Sequence, residues 1–437
     1  MQDTVATPPA SLPAPPDRRA LGRDLRGGLA TLMGSLCIAA LIPSILNGAG
    51  GSVTSVAATA FACVVGTALF ASFTRLPFAV GPGIVPASII ASWLATGMPW
   101  STVLGIELVA ALLFAALVAL GLVGRLVRRM PPLLKTAGEI AIGLYMLIAA
   151  LRAGGVMQGD LGDAAPSFEP AAWVFLAGLA AVFALARHPR FGGYATLIGV
   201  AVAAGGSAAL GLVSLPDRAW AVPTLTLHLP DVGAALSWRH VDEVLILLYV
   251  VLVDVVATLE TLARCEPELQ GPDGSLRGFD RALHLSAAVF VASPLLGTAP
   301  MLVFFESLGG VLSGARTARA AFVAVAGFAV VMFYSPLASA IPAGACAVAL
   351  AFVGYSITKH AALSMPWTSA EAGVARLGRH LATAALLLVV VAHYLAMALF
   401  ALFALYPVLA HFSGHKPRVA DIAAAVVATA LLGTILM

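Results

Sequence analysis

Charge is scarce in this chain. Only 10% of its 437 residues are Asp, Glu, Lys or Arg, while 60% are hydrophobic. Apolar runs of about 20 residues recur from end to end, long enough to cross a bilayer, and a soluble enzyme is thereby excluded. The net charge of +3 is spread between the runs and gives no basic surface for nucleic acid. Cysteine is also sparse: Cys37, Cys63, Cys265 and Cys346 have no paired spacing. Three of them lie in apolar runs, so neither a disulfide framework nor a zinc site is indicated and they read as small packing residues. His411 and His415 have metal-like spacing, but Ser413 and Gly414 break the helix between them. His393, alone in an apolar run, reads as a packing residue. With no paired catalytic motif and no continuous polar stripe, an enzyme or a channel is disfavoured.

What the chain does have is an all-α polytopic pattern of fourteen apolar spans. Residues 1–27, rich in Pro and Ala and carrying Arg18, Arg19, Arg23 and Arg26, lack the short apolar core and small-residue cleavage site of a signal peptide and read as a cytoplasmic tail. The spans fall at roughly 28–46, 52–73, 77–96, 101–124, 132–152, 171–186, 191–213, 242–262, 281–297, 300–313, 318–338, 340–358, 380–412 and 419–436. The thirteenth is too long for one straight crossing and is expected to bend or split. With the N-terminus inside, all of the 24 Lys and Arg except Arg152, Arg218, Arg239, Lys416 and Arg418 fall in cytoplasmic segments, which predicts a multi-pass inner (plasma) membrane protein of that orientation.

Two interrupted spans stand out. Leu76-Pro77-Phe78-Ala79-Val80-Gly81-Pro82-Gly83 and Pro294-Leu295-Leu296-Gly297-Thr298-Ala299-Pro300 place Gly and Pro inside apolar sequence ahead of short helical runs. Half-helices that begin inside a bilayer point unpaired N–H groups at whatever lies before them, and such pairs mark midplane binding sites. The interrupted segments are third in each group of seven. Ile142-Gly143-Leu144-Tyr145 after Met130-Pro131-Pro132 also resembles Val353-Gly354-Tyr355 after Ile341-Pro342. A seven-plus-seven inverted repeat follows, with residues 28–213 and 242–437 as its halves and 214–241 as an extracytoplasmic loop.

The run from Arg75 to Gly83 resembles the third-span signature of the xanthine/uracil permease (nucleobase:cation symporter) family, especially its adenine/guanine/hypoxanthine branch. Leu296-Gly297-Thr298, Glu306-Ser307-Leu308-Gly309-Gly310-Val311 and Gly314-Ala315-Arg316-Thr317 are similar to that branch's tenth span, and Ser335-Pro336-Leu337-Ala338 and Pro342 to Gly354 to its next two. The resemblance covers roughly residues 28–358 and is weak after residue 360. It implies core and gate domains with discontinuous third and tenth spans, a fold shared with the sulfate permeases, and no enzyme activity. It further implies proton- or sodium-coupled uptake of a purine or related nucleobase, no cofactor besides the carried ion, and a homodimer. Glu306 matches the tenth-span glutamate, whose carboxylate can accept ring N–H groups.

The eighth span departs from the branch. Its second Asp is Ala257 here and its following Gly is Glu260, with Asp254 and Thr258 about one turn apart on one face. The polar Asn usual after the third-span glycines is absent, and Pro86-Ala87-Ser88 stands there. The expected substrate contacts are Glu306, Asp254, Phe78, Val80, Gly81, Phe305, Ser307 and Thr258, with Glu306, Asp254 and Glu260 carrying the coupling ion. An ionisable group inside a span is costly and functional by default, and a carboxylate shielded from water can take up a proton and release it as the core moves. Against this, Glu260 sits four residues before Arg264 and can form an ordinary helix pair, Glu139 has Lys135 at the same spacing, and Phe78 can be plain packing. An anion or organic-acid carrier of the sulfate-permease type is the alternative, disfavoured by three acids near the site.

Overall fold

Gly and Pro interrupt two apolar segments of this chain, and there the backbone leaves the helix and becomes extended. The structure, a computed structural model, describes residues 18–129, 132–158, 165–166, 169–188, 191–213, 216–223, 228–272, 275–364 and 395–412, with scattered positions within 377–383 and 422–429. In chain order the first half contains α1 (Arg18–Ser35), α2 (Ile38–Gly50), α3 (Val56–Thr74), strand β1 (Val80–Pro82), α4 (Ile84–Ala95), α5 (Trp100–Ala119), α6 (Leu122–Arg129) and α7 (Pro132–Ala153). A small antiparallel pair, β2 (Met157–Gln158) with β3 (Ala165–Pro166), precedes α8 (Pro170–Ala186), α9 (Ala195–Ala209) and α10 (Val232–Ala235). The remainder holds α11 (Val241–Arg264), α12 (Phe279–Leu295), β4 (Met301–Val303), α13 (Ser307–Leu312), α14 (Ala318–Phe333), α15 (Ser335–Ser339), α16 (Ala343–Ser364) and α17 (Leu395–Phe412).

Among the described residues, six helical stretches are long and apolar enough to cross a bilayer: Ala20–Ala49, Val56–Thr74, Trp100–Ala119, Thr136–Ala153, Trp238–Arg264 and Ala343–Leu363. α4 has only 12 residues and therefore spans about 18 Å, short of the roughly 30 Å of hydrocarbon. The extended β1 supplies part of the missing length. It can do so because its backbone is paired inside the protein, as unsatisfied peptide groups at that depth are prohibitive. α3 stops at Arg75, which adopts left-handed φ 61°, and Pro77 then prevents the helix from resuming.

Packing divides the described helices into two groups. The larger consists of α1–α5 and α11–α15 with β1 and β4: α1 lies on α13 and α14, α3 on α14, α5 on α11 and α12, and α2 on α4. In the smaller, α16 packs along α7, α8 and α9, and α17 on α7. The α7–α16 crossing is close because Gly143 faces the carbonyl of Gly354 and the Thr358 side chain, so any Cβ would collide. Without a hydrophobic gain between helices in lipid, close backbone approach at small residues is what holds such a pair. The glycines are those of the two similar sequence motifs. The two groups meet where α2 touches α16, α1 touches α9, and α11 touches α7 and α17.

Several boundaries differ from expectation. α1 begins at Arg18, so the end of the segment expected to be a tail is helical, and Asp24 within it is 2% exposed. It is buried because it caps another element: Asp24 Oδ1 accepts from Arg316 N (2.9 Å) and Thr317 N (3.2 Å), and Oδ2 accepts from Thr317 Oγ1 (2.6 Å). The long thirteenth span is represented by α17, and residues 384–394, with His393, lie outside the described residues. So do His415 and all but isolated positions of the fourteenth span. Cys37, Cys63 and Cys346 are buried and unbonded, and Cys265 is half-buried.

Candidate functional site

The two interrupted segments meet. β1 runs antiparallel to β4 with Val80 opposite Val303, Gly81 opposite Leu302 and Pro82 opposite Met301. The pair is extended by Gly83 N donating to Pro300 O (2.9 Å) and Phe304 N to Ala79 O (2.8 Å). Side chains close the remaining valences. Thr67 Oγ1 of α3 donates to Val80 O (3.0 Å) and accepts from Val80 N (2.9 Å), and Ser307 Oγ accepts from Ala79 N (3.0 Å). Pro82 ends β1 and Pro300 stands just before β4; each strand has three residues, after which α4 and α13 begin.

Glu306 stands at the N-cap of α13, 7% exposed, immediately after this ladder. It lines a cavity of about 310 Å³ together with Phe305, Gly34 of α1, Thr196 of α9, and Ser356 and His360 of α16. The cavity therefore lies between the two packing groups. Its wall from α16 carries polar groups: His360 Nδ1 lies 2.7 Å from Ser356 O, and Ser356 Oγ donates to Phe352 O (2.8 Å). A larger cavity of about 850 Å³ lies between the same groups at the other end, lined among others by Asn47, Thr54, Ser335, Ser339 and Pro342.

The expected site residues divide as follows. Glu306 and Phe305 line the 310 Å³ cavity. Asp254 on α11 accepts from Thr258 Oγ1 (3.3 Å) and is within electrostatic reach of Glu306, so these three are neighbours, although Asp254 and Thr258 are not part of the lining. Phe78 is fully buried, the peptide groups of Val80 are taken up by Thr67, and Ser307 Oγ is taken up by Ala79 N. At Gly81 an added Cβ would meet Cys63 Sγ and the Phe304 ring, and at Gly83 Leu302 and Pro86, so both glycines are held by protein packing. Glu260 lies near Glu139 on α7. Glu139, expected beside Lys135, is bound across the helix boundary by Arg264 and Thr261.

Three polar residues were not singled out by the sequence. Glu107 of α5 is wholly buried and accepts from Ser293 of α12; as an acid in an apolar run it carried the same signal as Asp254. Asp24 lay in the expected tail, and His360 lay just past the end of an expected span.

The arrangement is a largely buried carboxylate just after the β1–β4 pair, facing a second body of helices across a cavity. Such a site suits a permease. The chain belongs to the permease family Xan_ur_permease, whose model matches residues 23–390. It is 27% identical to a putative permease of Methanocaldococcus jannaschii over 336 residues, 75% of this chain and 76% of the relative. It is 26% identical to the guanine/hypoxanthine permease GhxP of Escherichia coli O157:H7 over 352 residues, 76% of this chain and 77% of that protein. The fold is that of the transmembrane domain of the cyanobacterial bicarbonate transporter BicA, at TM-score 0.62 and 19% identity over 88% of this chain and 98% of that one. The protein is thus a multi-pass membrane permease and not an enzyme.

Proposed function

We propose that the chain is a secondary active transporter taking up a purine or related nucleobase with a proton, by alternating access of a gate (α7–α9, α16, α17) against a core (α1–α5, α11–α15). The observation that carries this is Glu306, a largely buried carboxylate just after the β1–β4 ladder, lining a cavity that both bodies enclose. Its oxygens can accept the N–H donors on one edge of a planar base, and Asp254 nearby gives the coupling proton a second place to reside. Cavities at both ends of the core–gate boundary fit a path that opens alternately. The curated relatives that carry guanine and hypoxanthine support the substrate class.

In this reading the chain has fourteen spans as two inverted repeats of seven with discontinuous third and tenth spans, lies in the inner membrane with its N-terminus inside, and works as a homodimer. The test is uptake into proteoliposomes of labelled guanine, hypoxanthine, adenine, xanthine and uracil, with and without an imposed pH gradient. Bicarbonate and small carboxylates serve as competitors. Gradient-driven uptake of one base or more is expected. Anion uptake with no nucleobase uptake would instead favour the anion-carrier reading, which the likeness to BicA keeps open at the level of fold.

A further inference from the structure

A buried acid stands where the second interruption begins. Glu107 of α5 is 0% exposed, and among the described residues its one hydrogen-bond partner is the hydroxyl of Ser293 on α12. Oε2 of Glu107 has no partner there, and no cation pairs with the side chain. An ionised carboxyl in such a place would leave charge bare in an apolar interior, at a prohibitive cost.

Ser293 is already committed. Pro294 has no N–H, so the donor that an α-helix supplies to the carbonyl of Phe290 is missing. Ser293 Oγ stands in for it and donates to Phe290 O (2.7 Å). A hydroxyl owns one proton and two lone pairs. With that proton spent on Phe290 O, Ser293 can only accept from Glu107, and the proton between them has to come from the acid. A carboxylate at Glu107 would instead draw the serine proton to itself and strand Phe290 O, whereas a carboxylic acid leaves both satisfied.

We propose that Glu107 holds its proton permanently, on Oε1, as an O–H donor to Ser293, and that it is a positioning residue for the interrupted tenth span and no carrier of the coupling ion. Ser293 is where the chain turns out of α12: its carbonyl accepts from Leu296 N (3.1 Å) and Thr298 N (3.2 Å), three residues before β4 begins. On the preceding turn the Phe290 ring rests on Phe114 of α5, with centroids 6.1 Å apart. The relay from Glu107 through Ser293 to Phe290 O thus ties α5 to the turn that leads into β4, and β4 leads to Glu306.

The test is infrared difference spectroscopy of the full chain in lipid at neutral pH, wild type minus Glu107→Gln. The expected difference is one lost carbonyl stretch of a protonated carboxylic acid. Loss of a carboxylate band in its place overturns the proposal. Ser293→Ala should move the acid band to higher frequency as the O–H loses its acceptor, and an unmoved band overturns the relay. Glutamine can also donate to Ser293 Oγ, so Glu107→Gln should melt near the wild-type temperature and keep gradient-driven guanine uptake within about twofold of wild type. Glu107→Leu, with no donor, should melt lower and lose uptake by about fivefold or more. A folded Glu107→Gln that has lost uptake makes this proton part of transport and overturns the proposal, as does a Glu107→Leu protein equal to wild type. Aggregation of Glu107→Gln overturns it too, since an amide donor should serve. Only the uptake arm rests on the substrate reading: if wild type takes up no base, that reading fails while the infrared and melting results still decide this one.

Discussion

Thr67 and Val80 satisfy each other completely: one hydroxyl donates to Val80 O at 3.0 Å and accepts from Val80 N at 2.9 Å. In an antiparallel ladder alternate residues turn their N–H and C=O away from the partner strand. Val80, opposite Val303, is such a residue, and its outward groups are satisfied by Thr67 of α3. Thr67→Val keeps the shape and strands two buried peptide groups, at about 1–3 kcal/mol for each. The expected result is a lower unfolding temperature in detergent, with Thr67→Ser close to wild type. An unchanged melting curve for Thr67→Val would mean that the segment finds other partners.

Glu306→Gln retains volume and hydrogen-bonding reach while deleting the charge. Uptake should fall by roughly a hundredfold or more, the scale expected when a functional membrane carboxylate is lost, while size exclusion and unfolding temperature stay near wild type. Transport at the wild-type rate would remove Glu306 from the mechanism.

Asp254→Asn should abolish coupling to a pH gradient, because Asp254 is the second acid near Glu306. Restoring the branch pattern with Ala257→Asp separates two possibilities. A pocket for an ordinary purine gains or keeps purine uptake. One reshaped for another solute loses transport, since an added buried charge without a partner costs several kcal/mol, of the order of ~3–5. Counterflow assays with guanine and adenine read the difference.

Asp24 caps the start of α14 and the loop behind α13 with three hydrogen bonds. Asp24→Ala should destabilise by about 2 kcal/mol, at the upper end for a lost helix cap, and should weaken substrate binding because α13 carries Glu306. Asp24→Asn, which retains one acceptor, should lie between. Equal melting temperatures for all three proteins would refute the clamp.

Gly81→Val tests whether this glycine serves the substrate or the protein. Its Cβ direction is filled by Cys63 and Phe304, so the variant should lose stability and expression before any shift in substrate affinity is measurable. A well-folded Gly81→Val with only a raised KM would point to a ligand at that spot.

The apolar runs, the interruptions at Pro77–Gly83 and Pro294–Pro300, and Glu306 were all legible in the sequence, because length, hydropathy and helix-breaking residues are local properties. The shared Gly motifs were legible too, but not that Gly143 and Gly354 press together and hold α7 on α16. Which residue meets which was decided by tertiary structure alone. Glu139 has Lys135 four residues before it in the sequence, and the fold brings it Arg264 from 125 residues away. Asp24 looked like part of a tail until α14 folded against it. A buried charge or peptide group must find a partner, and sequence spacing offers only those on the same helix. Packing brings the rest, and with them the cavity that places Glu306 of one body opposite Thr196, Ser356 and His360 of the other.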